Sequence, residues 1–148
     1  MIGSAARNFT NVQFVDSNVL LYAISRAPED NDKAERANEL LDAGDVGLSV
    51  QVLQEFYVQS TRETRADRIS HDQAAKLIES LLVFAVADIT TGVVLAAMST
   101  RDRFGISYWD AAILEAARSL GCEVVLSEDL GDGQDYGGVR VENPFGPS

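Results

Sequence analysis

The stretch FVDSNVLLYA, residues 14–23, decides how the chain is read. Val12, Phe14 and Val15 have the look of a buried strand, while Val19, Leu20, Leu21 and Ile24 recur at helical spacing, so the periodicity changes from strand to helix across Asp16. A strand that runs straight into a helix is the opening of a crossover unit. The same joint carries a charge in the middle of an apolar run, and the rest of the sequence has to explain it.

Working outward, further strand-like runs appear at Val46–Ser49, Val83–Ile89, Glu123–Leu126 and Val139–Val141. Helical patterns separate them. Asp32–Ala43 is amphipathic, with Ala34, Ala37, Leu40 and Leu41 on one side, and the helix after Ser49 presents Val52, Leu53, Phe56 and Tyr57. Ser70 with Gln73 forms a capping box that opens a helix running through Leu82. Thr90–Arg103 and Ser107–Leu120 complete the set, the last ending at Gly121 as a helix C-terminus should. Strands alternating with long helices predict an α/β fold with a mainly parallel sheet and helices on both faces. The Gly-rich stretch 131–138 reads as a loop before a short edge strand, and the tail NPFGPS as a surface extension.

With 148 residues, of which 46% are hydrophobic and 24% charged, the chain has material for one domain with a sizeable core and lacks the composition of disorder. No apolar run approaches the ~20 residues that span a bilayer, and residues 1–11 carry no secretory pattern, so a cytoplasmic location without membrane attachment is expected. Cys122 is the single cysteine and His71 the single histidine, which excludes an internal disulfide and any Cys- or His-rich metal site. A metal bound here must be bound by oxygen. The net charge of −11 argues against a basic-patch nucleic-acid binder, yet it is also what clustered carboxylates awaiting divalent cations would produce.

In a doubly wound sheet, ligands bind beyond the carboxyl ends of the strands. Asp16 stands at one such end and Asp129, in CEVVLSEDL, follows another by a few residues. Glu55 lies early in the helix after Val46–Ser49, with Ser49 as its N-cap, and Asp110 lies in the first turn of the helix beginning at Ser107. Acids from four distant segments can therefore converge on one edge. Grouped carboxylates raise one another's pKa unless a cation compensates, and hard divalent ions prefer such oxygen ligands. Two ions about 3.5–4 Å apart can activate a water and stabilise the leaving oxygen in phosphodiester cleavage. Each acid has a structural alternative: Asp16 as a helix cap, Glu55 as a solvated helix residue, Asp110 as the partner of Ser107 in a capping box, and Asp129 as turn chemistry.

Four segments in order, VDSNVLLYA, LSVQVLQEFYV, ISYWDAAILEAARSLGCEVVLSEDL and DGQDYGGVRVENPF, resemble the PIN domains, and more narrowly the VapC-type toxins of VapBC toxin–antitoxin pairs. The likeness runs from Val12 to Phe145 and treats residues 1–148 as one PIN domain with 1–11 as an N-terminal extension. It implies a three-layer α/β/α fold around a mainly parallel twisted sheet and a metal-dependent ribonuclease whose acidic set is Asp16, Glu55, Asp110 and Asp129. It implies Mg²⁺ or Mn²⁺ as cofactor, bound by Asp16, Asp110 and Asp129, while Glu55 binds metal or orients the attacking water. RNA would be the substrate, with 5′-phosphate and 3′-hydroxyl ends produced. A VapB-type antitoxin and a homodimer are the implied partners. Ser17, Asn18 and Ser127 are candidates for orienting the acids, and Asp132 for an alternative ligand.

Softer signals surround this set. Arg62, Arg65 and Arg68, in TRETRADR, offer a small basic surface for phosphates or else a solvated interhelical loop. Tyr108 and Trp109 could stack on a base, though core packing is the commoner fate of such rings. His71 is expected at the surface and Cys122 as a small buried hydrophobe. A haloacid-dehalogenase-like phosphatase also has an aspartate after its first strand, but it needs a second two residues on, where this chain has Asn18. It also needs a positioned lysine, and Lys33 and Lys76 both sit in amphipathic helices. A receiver-type phosphoacceptor would want paired acids after its first strand and a lysine after its last, and neither is present, so a catalytically silent PIN scaffold is the main rival and the phosphatase a lesser one.

Overall fold

A computed structural model describes residues 12–146. The expected N-terminal extension, residues 1–11, and the last two residues of the tail lie outside the described part.

β1 (Gln13–Val15) leads through Asp16 into α1 (Ser17–Ala23), as the change of periodicity required. A single 3₁₀ turn precedes α2 (Asn31–Asp42), and β2 (Val46–Ser49) runs directly into α3 (Val50–Ser60), capped by the Ser49 hydroxyl on the Val52 N–H. α4 (His71–Leu81) begins at Ser70 with both halves of the capping box formed. Then come β3 (Ala85–Ala87), α5 (Thr91–Phe104), α6 (Tyr108–Ser119), β4 (Val124–Leu126) and β5 (Arg140–Glu142).

The five strands form one sheet in the order β3-β2-β1-β4-β5, every pair parallel. Right-handed crossovers place α1–α4, which connect β1 to β2 to β3, on one face and α5–α6, which return the chain from β3 to β4, on the other. The result is the three-layer α/β/α arrangement. Phe14, Val15, Leu48, Val125 and Val141 are fully buried, as two-sided burial of a parallel sheet demands. α6 is buried from Ala111 to Ala117 because it lies between the sheet and α5, and five of those seven residues are alanine or leucine, slim enough for close packing on both sides. No described helix is long and apolar enough to cross a membrane.

Two expectations change. β3 is shorter than Val83–Ile89, because it pairs only with Gly47, Leu48 and Ser49 of the short β2; Val83 and Ile89 lie beyond that register, 81% and 52% exposed. The tail is not a surface extension: Phe145 is half-buried edge-on against Tyr22, with centroids 5.0 Å apart, and the Pro144 carbonyl accepts from Arg36 Nε at 3.2 Å.

The fold fixes where a site can be. The chain leaves β1 toward β2 on one side while β4 flanks β1 on the other, so the connections after β1 and β4 diverge and open a crevice at their carboxyl ends. Asp16 follows β1, and Ser127, Glu128 and Asp129 follow β4.

Candidate active site

Asp16 caps α1 with one carboxylate oxygen and faces the loop after β4 with the other. Oδ1 accepts the Ser17 N–H at 2.7 Å, and Oδ2 accepts the Ser127 hydroxyl at 2.8 Å. Burial drives its carboxyl up from 3.8 to about 6; the Ser127 and Ser17 bonds pull it back, and the charges of Glu55 and Asp129 add to the rise. Glu55 and Asp129 are therefore electrostatic neighbours of Asp16. The ion pairs among the described residues go elsewhere: Lys33 to Glu128, Arg65 to Asp67, Arg118 to Glu115 and Arg140 to Glu142.

Asn18 ties the crevice together. Its Nδ2 donates to Asp129 Oδ2 and to Ser127 Oγ, both at 3.2 Å, and lies 3.5 Å from Asp16 Oδ2, while its Oδ1 accepts the Glu128 N–H. Ser127, fully buried, accepts the N–H groups of Asp129 and Leu130, which folds the loop after β4 back over β1. Ser17 Oγ donates to Glu55 Oε1 at 3.3 Å, so Glu55 is half-buried and faces α1 rather than solvent. The candidate orienting residues Ser17, Asn18 and Ser127 all contact the acids.

Asp110 is the outlying member. It occupies the first turn of α6, where its N–H bonds the Ser107 hydroxyl, but the reciprocal half of a capping box is absent, in contrast to Ser70 and Gln73. No hydrogen bond to the Asp110 carboxylate exists among the described residues, and its charge contributes to the raised pKa of Tyr136, whose first cause is burial. Gln51 connects this end of α6 to the cluster, its Nε2 lying 3.3 Å from the Trp109 carbonyl and 3.5 Å from Glu55 Oε2. Asp132 does not join: its Oδ1 accepts the Asn143 N–H and pins the strand-end backbone after β5.

Other candidates sort as follows. Trp109 is 66% exposed beside Asp110, against the core packing expected of it, while Tyr108 packs half-buried and edge-on to it. Cys122 is buried, its thiol pushed up to about 11, and His71 is exposed with Nδ1 2.9 Å from Tyr57 Oη. Arg62, Arg65 and Arg68 lie on the α3–α4 connection; Arg62 and Arg68 are exposed and Arg65 is half-buried. Sequence reasoning missed Gln51, although it stands four residues before Glu55 on the same helix face. It also missed the Glu128 clamp, in which Lys33 Nζ and Tyr22 Oη both bond that carboxylate.

Among the described residues, no three His, Cys, Asp or Glu side chains stand close enough to enclose an ion by themselves. A magnesium-type ion does not need such a cage, since it keeps several waters and takes one or two carboxylates plus substrate phosphates. The donor chemistry fits: a buried carboxylate, two further acids acting on it, and no base paired to it.

The PIN domain family model matches residues 14–131. The chain belongs to the PIN domain family. No curated protein matches it in sequence. Among solved structures, the PIN fold seen here is similar to a toxin–antitoxin complex from Klebsiella pneumoniae (18% identity, TM-score 0.64, covering 89% of this chain and 97% of that one). It is similar to DNA-bound VapBC from Salmonella typhimurium (21% identity, TM-score 0.61, covering 89% and 97%). It is also similar to Mycobacterium tuberculosis VapC20, a sarcin-ricin loop cleaving toxin (18% identity, TM-score 0.61, covering 79% and 89%). At these identities the likeness establishes a shared fold.

Proposed function

We propose that this PIN domain is a Mg²⁺- or Mn²⁺-dependent endoribonuclease, the toxin of a type II toxin–antitoxin pair. The observation that carries the reading is Asp16: a carboxylate buried at the switch point of the sheet, pressed by Glu55 and Asp129, with its pKa raised to about 6. Evolution of a purely structural cap would not require two more acids beside it. A divalent ion held by Asp16 and Asp129, with Asp110 completing the site from α6, would stabilise charge growing on the phosphoryl oxygens and help ionise the attacking water.

The chain's own residues do the rest. Ser127 and the Ser17 N–H hold both oxygens of Asp16 in place, and Asn18 holds Asp129 against it, so the carboxylates need no reorganisation when substrate arrives. Glu55 Oε1 is engaged by Ser17, whereas among the described residues Oε2 has only the long 3.5 Å approach of Gln51, which leaves Oε2 to orient a water and take its proton. Attack on the phosphorus with loss of the 3′-oxygen would leave 5′-phosphate and 3′-hydroxyl ends. An antitoxin of the VapB type and a homodimer follow from the same reading; the structural relatives that are toxin–antitoxin complexes support the first. The cytoplasm is the matching location.

The test is incubation of purified protein with a mixed cellular RNA pool in Mg²⁺ or Mn²⁺, in chelator, and as the Asp16→Asn variant. Discrete fragments that vanish in both controls are expected. Equal behaviour of wild type and variant would turn the reading to the catalytically silent scaffold.

A further inference from the structure

Beside the acids, on the α1 side, the chain forms a second cleft of about 270 Å³, close to the lower end of ligand pockets at ~300 Å³. Leu21 and Tyr22 of α1, Asp30 and Arg65 line it, and Asn18 and Asp129 form the wall it shares with the acidic centre. Glu128 also faces it, but Lys33 and Tyr22 bond that carboxylate and hold it below its usual range despite the opposing effect of burial. Asp30 uses Oδ2 to accept the Ser25 hydroxyl at 2.7 Å, and no hydrogen bond to its Oδ1 exists among the described residues.

Arg65 is the cation of this wall. Asp67 stands behind it, with Oδ1 3.0 Å from Arg65 Nε and Oδ2 accepting the Arg26 N–H at 3.1 Å. The approach of Nε to Asp67 is not aligned as a hydrogen bond, so Nε is a buried donor without an acceptor. Neither terminal nitrogen of Arg65 makes a hydrogen bond or closer ion pair among the described residues. A half-buried guanidinium, steadied by one acid and otherwise unsatisfied, therefore borders a cleft that opens onto Asp129. A guanidinium presents a planar fork matched to phosphate oxygens.

We propose that this cleft seats the ribonucleotide adjoining the scissile bond, with its backbone phosphate on Arg65 and a ribose hydroxyl donated to Asp30. The assignment rests on the nuclease reading for the identity of the scissile bond, and it makes Arg65 a substrate-binding residue. It also answers the charge objection: in a chain of net charge −11, one placed arginine beside the acids does what a broad basic surface does elsewhere.

The probe is a random-sequence 12-mer RNA pool, 5′-fluorescein-labelled, followed by fluorescence anisotropy against the full chain carrying Asp16→Asn to prevent cleavage. Adding Arg65→Ala should weaken binding about tenfold and reduce the slope of log K against log salt by about 0.7, the value for one phosphate contact on a single strand. Arg65→Lys should keep most of the slope. Arg62→Ala, in the same connection but exposed, should change affinity less than about twofold. Unchanged affinity and slope in Arg65→Ala overturns the proposal, and is also the outcome if the cleft instead receives a basic side chain of a protein partner. Should Arg65→Ala fail to fold, Arg65→Gln decides in the same assay, because it keeps a donor for Asp67 while removing the charge. Cleavage by the wild-type chain is scored separately. Loss of affinity in Arg65→Ala with no cleavage by wild type sinks the nuclease reading and keeps Arg65 as an RNA phosphate contact without a scissile bond beside it; cleavage with unchanged affinity keeps the nuclease reading and sinks the subsite.

Discussion

Replacing Asp16 by asparagine should abolish activity and yet stabilise the ion-free protein. Burial holds the Asp16 carboxyl at about 6 against an ordinary 3.8. The folded chain therefore binds a proton that the unfolded chain releases, and stability falls as pH rises from about 4 through 6. At ~1.36 kcal/mol for each pH unit, the ionised carboxylate costs the fold about 3 kcal/mol at pH 7. Asparagine has the same shape and no charge to bury. It keeps a carbonyl for the Ser17 N–H but gives up one charge-strengthened bond to Ser127, at a loss of ~1 kcal/mol. A net gain of about 2 kcal/mol is expected at pH 7, which for a chain of this size is about 4–8 °C in Tm. Urea unfolding of both proteins in chelator at pH 4 and pH 7 measures it. The stability difference in favour of the variant should widen by about 2 kcal/mol between the two pH values, because part of the unfolded chain's carboxyl is already ionised at pH 4. Saturating Mn²⁺ should then stabilise the wild type and leave the variant unmoved, by ~2.7 kcal/mol at 100 times the dissociation constant. A difference that does not vary with pH, or a variant less stable than wild type at pH 7, would refute the argument that Asp16 is a buried charge awaiting a counter-ion.

Three further outcomes follow from neighbouring contacts. Ser127→Ala removes the hydroxyl that bonds Asp16 Oδ2 and anchors the Asp129 and Leu130 N–H groups; Mn²⁺ affinity by titration calorimetry should fall ~10–100-fold, and an unchanged affinity would mean that Ser127 only packs. Glu128→Gln takes the charge from the Lys33 and Tyr22 clamp; since that carboxyl is held below its ordinary value, the stability it contributes is present above the ordinary value and lost as pH falls, so wild type and variant should converge in urea melts as the pH is taken down below the ordinary carboxylate range. Gly47→Ala would put a Cβ 3.1 Å from Leu120 Cδ1 and 3.2 Å from Cys122 Sγ between β2 and the packed layer, and should cost ~1–3 kcal/mol in the same melts, a loss that Cys122→Ala in the same chain should partly recover.

The placement of the acids was legible in the sequence because a parallel sheet opens its crevice at the carboxyl ends of its strands, and strand ends are legible from periodicity. Asp16 and Asp129 needed no more than that. Asp110 did: Ser107 and Asp110 spell a capping box, as Ser70 and Gln73 do, and only the structure shows that the second pair closes both bonds while the first closes one. Which residue reaches the edge of the sheet is a matter of local pattern, but which way its side chain turns is decided by partners far along the chain. Ser127 and Asp132 belong to the same loop, yet one meets Asp16, 111 residues before it, and the other meets the Asn143 backbone, 11 residues after it. Lys33 and Glu128 lie 95 residues apart, and a single half-buried pair leaves no periodic trace to read. Phe145 went unrecognised for a related reason: one aromatic in a Pro- and Gly-rich tail has no repeat, and its burial depends on Tyr22, which α1 presents from the far end of the sequence. What escapes the sequence is therefore concentrated where distant loops meet over the switch point, which is also where an acid can be turned toward a substrate or away from it.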